Sequence, residues 1–363
     1  MNYTPFTPGF LQAREAALQQ WFSTIVASLD DGPEQGSLQP VSGDASFRRY
    51  FRVKTATRSW ILMDAPPERE AIKPFIDIAG HLAGAGVCVP SIHAIDAAQG
   101  FLCLEDFAST LLWAPLHEAG NDNDFGRAGA LYEQAMQQLV LIQGCNPIDA
   151  GLPAYDEALL GREVALFSDW FCEGILQVTP SSDERSMLDD AYGYLIEMAC
   201  AQPRVFVHRD YHSRNLMYRG ALPPGVLDFQ DAVWGPVTYD LVSLLRDCYI
   251  AWPAGQVLVW AEQYRLQAMA CSIEVQDDPL AFRRDFDLMG IQRHLKAVGI
   301  FSRLWLRDGK SAYMKDIPRT LNYITTVAPA YPHLSAFTHW LQVVVLPRVD
   351  NAIARETAKG KTA

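Results

Sequence analysis

The sequence predicts an α+β fold with two lobes, a small β-sheet lobe followed by a larger and mainly helical one. Three observations indicate this. The first third of the chain contains several apolar runs of strand length separated by turn residues. Beyond about residue 107, apolar residues instead recur at helical spacing over long stretches. With 363 residues, the chain is long enough to bury a core in each lobe.

The elements of the small lobe alternate between helix and strand signals. Apolar residues at helical spacing predict an amphipathic helix over residues 10–28. Short apolar runs predict strands at residues 38–41, 50–55, 60–63, 92–95 and 101–104. A second helix is predicted over residues 68–83, and Gly84 and Gly86 mark its end. We place the boundary near residues 107–110, which gives domains of residues 1–107 and 108–363.

The large lobe is predicted to consist mainly of helices. Helical periodicity is clearest at residues 132–142, 158–172 and 183–199. Two short strand candidates interrupt the helices, one around Val205 and one around Val226. The first leads into a polar loop, and the second delivers Asp228 at its end. The sequence therefore predicts that polar residues follow both short strands.

Composition and charge restrict the possible partners. The chain is 49% hydrophobic, as in globular proteins, and its formal net charge is −12. This charge argues against nucleic acid or an anionic membrane as the main partner. We expect a monomer that acts on a small molecule. No signal peptide or run of transmembrane length is recognisable. The seven cysteines are scattered without a C-x-x-C pair, which predicts a reduced, cytoplasmic protein.

The strongest chemical signal is the stretch from residue 207 to residue 240. It reads V-H-R-D-Y-H-S-R-N, then L-D-F-Q-D, then Y-D-L. Asp210 can act as a general base, while Asn215 and Asp228 offer oxygen ligands that suit Mg²⁺. Phosphoryl transfer from ATP requires such groups, because its transition state needs positioning and neutralisation of charge. The pattern predicts a phosphotransferase that uses ATP and Mg²⁺.

This pattern resembles the catalytic and metal-binding loops of the eukaryotic-type kinase fold. With L-D-F-Q in place of D-F-G, it is most similar to the aminoglycoside phosphotransferase and choline kinase branch. Within that branch the whole chain resembles the bacterial cell-wall-recycling kinases, which phosphorylate N-acetylmuramate and N-acetylglucosamine at the anomeric hydroxyl. Supporting segments lie at residues 42–50, 104–107, 292–296 and 307–310. The resemblance implies a bilobal, protein-kinase-like fold.

For the nucleotide, the resemblance implies contacts in the small lobe. A turn that covers the phosphates is expected at Ser42, Gly43, Asp44, Ala45 and Ser46. Glu105 and Phe107 are expected at a hinge whose backbone binds adenine, although Asp106 could instead cap a helix. The third strand lacks the family's Lys, and Met63 lies about where it would be. Candidates to replace it are Arg48, Arg49, Arg52 and Lys54, of which we choose Arg49, with Glu70 on the next helix as its partner.

For the acceptor and the loop, the resemblance suggests further roles. Asp231 and Trp234 follow the metal-binding Asp and are expected to line the sugar site. One of Arg246, Arg293 and Arg303 could bind the lactyl carboxylate of N-acetylmuramate, and we choose Arg293. His208 and Asp240 are expected to be structural: the His buttresses the catalytic loop, and the Asp opens a helix and braces it.

Three alternatives remain open from the sequence. The first is a kinase of the same fold that acts on an aminoglycoside, choline, homoserine or another hydroxyl metabolite. The second is a nucleotide-binding pseudokinase, which the missing Lys suggests. The third is a protein kinase, which is disfavoured because residues 228–240 leave no room for a long activation segment and no A-P-E follows.

Overall fold

A computed structural model describes residues 7–29, 36–41 and 47–360 of the chain, and the side chains up to residue 358. These residues divide into two compact units, Met1–Thr110 together with Gly225–Gln230, and Leu111–Pro224 together with Asp231–Ala363. The sequence-based boundary lies within a few residues of the first division. It assigned residues 225–230 to the second domain, whereas here they pack with the first unit.

The first unit contains a five-stranded antiparallel sheet with one helix on a face. Its elements are α1 (Pro8–Ile25), a 3-10 turn (Val26–Leu29), β1 (Gln39–Val41), β2 (Arg49–Lys54), β3 (Ser59–Asp64), α2 (Lys73–Gly84), β4 (Ile92–Asp96) and β5 (Phe101–Glu105). The strand order is β1-β2-β3-β5-β4. Leu18 and Phe22 of α1 pack against alternate residues of the sheet, including Phe51, Val53 and Leu62. The predicted strands and the first helix are confirmed.

The second predicted helix begins later than expected. Residues 66–70 form a turn in which the backbone N–H groups of Arg69 and Glu70 donate to the carbonyl of Pro66. The helix α2 starts only at Lys73, with Pro74 in its first turn. Glu70 therefore lies before this helix and not on it, because the prolines near residue 66 favour a turn there.

Residues 225–230 join the first unit through close backbone contacts. The N–H of Val226 donates to the carbonyl of Cys88 at 2.7 Å. A Cβ at Gly225 would lie 2.3 Å from the ring of Phe107, so only glycine permits this approach. Phe229 packs on Phe75 of α2 with ring centroids 4.9 Å apart. The position of Asp228 is thus fixed by its neighbours within this unit.

The second unit is mainly helical. Its elements are α3 (Trp113–Asn121), α4 (Phe125–Gln143), α5 (Glu157–Leu166) continuing as a π-helix (Phe167–Leu176), α6 (Ser182–Cys200), β6 (Arg204–Val207), β7 (Leu216–Met217), β9 (Val233–Pro236), α7 (Tyr239–Leu245), α8 (Ala254–Ala270), α9 (Pro279–Asp308), a 3-10 turn (Ser311–Asp316), α10 (Ile317–Val327), two 3-10 turns (Ala328–Ala330 and Pro332–Leu334), α11 (Ser335–Trp340) continuing as a π-helix (Leu341–Val345), and α12 (Leu346–Gly360). The remaining strand, β8 (Gly225–Val226), belongs to the first unit. The predicted helical character is confirmed.

The 30-residue helix α9 is the centre of the second unit. Its N-terminus is capped by Asp278, which accepts bonds from the N–H groups of Leu280 and Ala281, and Gly309 ends it with a φ of 68°. Its apolar side chains form one core with α5, α6, α10, α11 and α12. A Cβ at Gly299 would lie 2.4 Å from the backbone of Leu166, so the approach of α5 depends on this glycine. Buried polar residues of α9 are thereby held in fixed positions.

Candidate active site

The loop of residues 208–215, hereafter the catalytic loop, begins directly after β6. Strand β6 pairs with β9, and Val207 lies opposite Val233. The backbone N–H groups of His208 and Arg209 both donate to the carboxylate of Asp240, at 2.6 and 3.0 Å. Asp240 lies fully buried in the first turn of α7. One carboxylate thus holds two consecutive amides at the start of the loop, the geometry that a bracing role requires.

A second buried carboxylate holds the other end of the catalytic loop. Oδ2 of Asp247 accepts from the backbone N–H of Ser213 at 3.0 Å and also from its hydroxyl, while Oδ1 accepts from the N–H of Tyr249. The carbonyl of Asp210 accepts from the side-chain nitrogen of Asn215 at 3.0 Å. The segment from Asp210 to Asn215 is therefore anchored on both sides. Sequence reasoning missed Asp247, because nothing near it in the chain marks it as a partner of the loop.

The imidazole of His208 supports the loop from inside. It is fully buried, and its Nδ1 accepts from the N–H of Asp210 at 3.3 Å. The ring also packs edge-on against Tyr211, whose hydroxyl donates to the carbonyl of Ala135. These contacts are those of a buttress, in keeping with the structural role predicted for His208.

Two residues of the predicted chemistry lie at or beside unusual backbone angles. Arg209, which precedes Asp210, has a φ of 76°, and Asp228 has a φ of 64°. Residues other than glycine rarely adopt this region, and they do so mostly where the surrounding contacts enforce it. For Arg209 the bond to Asp240 supplies one such contact. For Asp228, Oδ1 accepts from the side-chain nitrogen of Gln230 at 2.6 Å.

Asp210 itself is partly exposed and is surrounded by positive charge. Burial raises its pKa, but the charges of Lys296, His212, Arg293 and Arg209 together outweigh burial and hold the pKa below its ordinary value. Asp210 is therefore ionised at neutral pH. An ionised carboxylate that ligands can reach is suited to accept a proton from a hydroxyl or to orient it.

Glu163 of α5 gathers two of those cations. Its Oε1 lies 2.5 Å from Nη2 of Arg209 and 3.0 Å from Nζ of Lys296. Lys296 also donates to the hydroxyl of Tyr239 at 2.8 Å, and Tyr155 donates to Glu163. Burial raises the pKa of Glu163, but the charges of Lys296 and Arg209 lower it by more, so the pKa lies below its ordinary value. This network was not predicted, because its members come from helices far apart in sequence.

The three arginines considered for the acceptor differ in their surroundings. Arg246 pairs with the buried carboxylate of Asp287 and lies over the ring of Phe286. Arg303 is partly exposed on α9. Arg293 is 6% exposed, and it makes a long hydrogen bond from Nη1 to Sγ of Cys248 at 3.8 Å. Of the three, Arg293 is the one whose charge acts on Asp210.

The other predicted acceptor residues are Asp231, which precedes β9, and Trp234, which lies within it. Asp231 is exposed, and its carbonyl accepts from Nη1 of Arg209 at 3.3 Å, so its backbone lies beside the catalytic loop. The ring of Trp234 is covered by the guanidinium of Arg204 at 4.4 Å. Arg204 begins β6, whereas Asp210 follows the end of that strand. The role predicted for Trp234 thus gains no support from its surroundings.

In the first unit, Arg49 is engaged away from the position predicted for it. Its guanidinium pairs with the fully buried carboxylate of Asp64 and donates to the carbonyl of Leu11. Side chains alternate along a strand, so Arg49 shares its face with Phe51, which packs on α1. Met63 pairs with Tyr50 and is therefore on the other face. These contacts engage Arg49 on the face opposite Met63, which disfavours it as the replacement for the missing Lys.

Arg48 and Glu70 form the pair that was sought at Arg49. Nη2 of Arg48 lies 3.1 Å from Oε2 of Glu70, and Arg48 is 8% exposed. Oε1 of Glu70 also accepts from the N–H of Phe47 at 3.2 Å. Arg48 directly precedes β2, and its guanidinium lies at the turn before α2, where Glu70 is. The sequence alone does not show which of the two neighbouring arginines reaches Glu70.

The remaining nucleotide predictions concern two short segments. Residues 42–46, the predicted phosphate turn, lie outside the described residues. Glu105 ends β5, and its carboxylate accepts from the hydroxyl of Ser91 at 3.0 Å. Phe107 is buried against Gly225. Asp106 binds Arg52, Ser59 and the N–H of Ala108, so it fixes the residues after β5 and does not cap a helix.

The described part of the chain contains no group of three or more His, Cys, Asp or Glu side chains that could hold a metal. Amide and carboxylate oxygens such as those of Asn215 and Asp228 still suit Mg²⁺, which keeps several waters and takes its other ligands from phosphates.

None of the helices in the described part of the chain has the length and apolar composition that a membrane span requires.

Known proteins resemble this chain in sequence and in fold. Residues 37–273 match the profile of the phosphotransferase enzyme family. An N-acetylmuramate/N-acetylglucosamine kinase of Pseudomonas putida is 46% identical over 300 residues, covering 83% of this chain and 86% of its own. A protein of the same name from Neisseria meningitidis is 38% identical, covering 89% and 93%. Among solved structures, an ethanolamine kinase of Plasmodium vivax superposes with a TM-score of 0.59 at 11% identity, covering 88% and 90%. An ADP-bound aminoglycoside phosphotransferase superposes with a TM-score of 0.55 at 11% identity, covering 85% and 97%.

Proposed function

The chain belongs to the phosphotransferase enzyme family, and from that premise we propose that it is an ATP-dependent sugar kinase. It transfers the γ-phosphate to the anomeric hydroxyl of N-acetylmuramate and N-acetylglucosamine, in the recycling of peptidoglycan. The names of the similar relatives support the acceptor. One observation carries the chemistry: Asp210 is a partly exposed carboxylate, kept ionised by nearby cations in a loop anchored at both ends.

Asp210 acts on the acceptor. Its carboxylate accepts the proton of the C1 hydroxyl as that oxygen attacks the γ-phosphorus, and ADP leaves. An anomeric hydroxyl is more acidic than other sugar hydroxyls, so a carboxylate with a low pKa is an adequate base. The anchors at Asp240 and Asp247 keep Asp210 in place, because an in-line attack tolerates little displacement of the acceptor.

Asn215 and Asp228 would hold Mg²⁺ through their side-chain oxygens. When bound, the ion neutralises charge on the phosphate oxygens. The bond from the nitrogen of Asn215 to the carbonyl of Asp210 supports this role, because an amide that donates through nitrogen can offer its oxygen to a cation. The assignment rests on the spacing of the motif and on the chemistry of these oxygen donors.

For the nucleotide we propose that Arg48 does the work of the missing Lys. Its pairing with Glu70 supports this assignment, since the family's Lys also pairs with a Glu and a planar guanidinium matches phosphate oxygens. Residues 42–46 would cover the phosphates, and the backbone near Glu105 and Phe107 would bind adenine. For the acceptor we retain Asp231 and Arg293 and leave out Trp234, whose ring is covered by Arg204.

We further propose that the protein works in the cytoplasm as a monomer, without nucleic acid or membrane as a partner. The use of ATP as the phosphoryl donor supports this compartment. None of the seven cysteines is joined in a disulfide bond, as is expected under reducing conditions.

A second candidate is a nucleotide-binding pseudokinase, favoured by the absence of Lys from β3. The pair of Arg48 and Glu70 weakens the pseudokinase alternative, because Arg48 supplies a cation that can take the place of the missing Lys. The alternatives that keep the chemistry differ only in the acceptor, which would be an aminoglycoside, choline or another hydroxyl metabolite.

The test is ADP release with Mg·ATP across N-acetylmuramate, N-acetylglucosamine, glucose, kanamycin, choline and no acceptor. We expect turnover only with the two N-acetyl sugars and a product phosphate on C1. Turnover with kanamycin or choline alone would keep the chemistry and discard the acceptor. Binding of ATP without turnover of any acceptor would favour the pseudokinase.

A further inference from the structure

Arg293 is a buried cation with few partners. Its side chain is 6% exposed, and its Nε has no hydrogen-bond partner among the described residues. Its hydrogen bond from Nη1 to the thiol of Cys248 is long and is made to a weak acceptor. Burying a guanidinium without hydrogen bonds to oxygen is unfavourable, so such a residue usually has a ligand or a specific charge to meet.

Two other arginines of the same unit show how this protein treats such groups when they are structural. Arg246 is similarly buried, and its Nη2 binds the carboxylate of Asp287. Arg209 binds the carboxylate of Glu163 and the carbonyl of Asp231. In both, the planar guanidinium meets oxygen acceptors within the protein. Arg293 differs from them in that its hydrogen-bonding atoms are not matched by protein oxygens.

The position of Arg293 connects it to the catalytic loop. It contacts Cys248, the residue after Asp247, whose carboxylate holds Ser213 between Asp210 and Asn215. Arg293 lies on α9 one turn before Lys296, which shares Glu163 with Arg209. The contact with Cys248, next to the anchor Asp247, places the guanidinium beside the loop in which an acceptor meets Asp210. In agreement with this, the positive charge of Arg293 lowers the pKa of Asp210.

We propose that Arg293 binds the lactyl carboxylate of N-acetylmuramate and thereby makes the enzyme prefer the acidic sugar over N-acetylglucosamine. This inference rests on the proposed function, and it assigns the part of the substrate that the residue reads. A guanidinium matches a carboxylate with two parallel hydrogen bonds. N-Acetylglucosamine carries a hydroxyl in place of the lactyl ether and cannot make that pair. Arg293 is then a specificity-determining residue and not a group that reacts.

The first experiment compares two sugars in Arg293→Gln and Arg293→Lys. For Arg293→Gln we expect kcat/KM for N-acetylmuramate to fall roughly 30-fold, because a charged hydrogen bond is lost. For N-acetylglucosamine we expect a fall of less than about threefold, since no ground-state or transition-state contact is lost there. Arg293→Lys keeps the charge without the planar fork and should be intermediate. Arg284→Gln, on the exposed face of the same helix and paired with Asp285, is the matched control for charge.

A second measurement uses the wild-type protein and so does not depend on the folding of a variant. The methyl ester of N-acetylmuramate has nearly the same shape as the acid but no charge. We expect the wild type to use the ester roughly 30-fold less well than the acid, and Arg293→Gln to treat the two alike. A wild type that uses acid and ester equally would overturn the proposal.

The other outcomes are distinct. If Arg293→Gln lowers kcat/KM equally for both sugars, then the residue is a counter-charge for Asp210 and Asp247 and the proposal is wrong. If the variant does not fold, the comparison of acid and ester in the wild type decides. If the wild type turns over neither sugar, the proposed function itself fails, whatever Arg293 does. A fall confined to the acid, with an unaltered melting temperature, establishes the inference.

Discussion

Two regions of this protein use carboxylates in different ways. In the catalytic loop, Asp240 and Asp247 accept hydrogen bonds from backbone N–H groups at either end of the segment that carries Asp210. Around β2, the carboxylate of Asp64 accepts instead from the side chains of Arg14 and Arg49, and that of Glu70 joins the side chain of Arg48 to the N–H of Phe47. A carboxylate bonded to amides fixes the path of the chain. A carboxylate bonded to a long side chain fixes only where a charge lies.

This difference separates the expected effects of substitution. Changes in the loop should alter the rate of the reaction, because its geometry is set by the backbone. Changes around β2 should alter nucleotide affinity or stability, because an arginine can be replaced by another donor or by solvent. The predictions below test that division, beginning with the largest effect.

The largest effect is expected for Asp210→Asn. The variant keeps the size of the side chain and removes its ability to accept a proton, so kcat should fall by about 10³-fold or more. Binding of Mg·ATP, measured by isothermal titration calorimetry, should remain close to that of the wild type. Substantial residual turnover would show that Asp210 is not the base.

The success of the sequence in this loop has a physical reason. Asp210, Asn215 and His208 lie within eight residues, so their spacing alone constrains where they lie in a loop. The structural role of Asp240 could be predicted only because the resemblance to the kinase family implied it. Asp247, Glu163 and Lys296 were missed, because their contacts with the loop join helices that are distant in sequence. Such contacts depend on how α5, α7 and α9 pack, which no local pattern encodes.

The small lobe shows the complementary case. Its strands were predicted almost to the residue, because apolar runs and turn residues are local signals. Arg49 was chosen from the sequence without knowledge of which face of β2 packs on α1, and neighbouring residues of a strand point to opposite faces. Phe51 packs on α1, so Arg49 lies on that covered face. The late start of α2 was missed because the turn at Pro66 competes with the helical pattern.

The second prediction concerns the anchor at Asp247. Asp247→Ala removes the acceptor for the N–H groups of Ser213 and Tyr249, both of which would be left without it. We expect the free energy of unfolding to fall by about 3 kcal/mol and kcat to fall with it. Ser213→Ala is the control, because it removes the hydroxyl and keeps the backbone bond. Urea titration of both variants measures the difference, and equal losses would contradict the idea that backbone bonds dominate.

The third prediction distinguishes the arginines before and at the start of β2. Arg48→Gln should raise the KM for ATP about 10-fold with little change in the KM for sugar, because it removes a charged donor for phosphate. Arg49→Gln should leave the KM for ATP near the wild-type value and lower the free energy of unfolding by about 1–2 kcal/mol, since Asp64 keeps Arg14 as a partner. The reverse pattern in steady-state kinetics would restore Arg49 as the nucleotide ligand.

The smallest expected effect is a change in how stability depends on pH, and it concerns Glu163, which belongs to both kinds of region. Its partners are side chains, those of Arg209 and Lys296, yet one of them lies in the catalytic loop. These charges hold the pKa of Glu163 below 4.5, the value for an unfolded chain, against the effect of burial. A lowered pKa means that its contribution to stability is present above that value and is lost as the pH falls through the pKa of the folded state. The wild type should therefore lose stability in acid more steeply than Glu163→Gln, by at most ~1.4 kcal/mol per pH unit.

Glu173→Gln, at an exposed pair with Arg185, is the control and should keep the wild-type slope. Urea titrations between pH 3 and pH 7 measure the slopes. Parallel curves for the wild type and Glu163→Gln would mean that the three charged groups do not depend on one another, and that the loop is held by its backbone anchors alone.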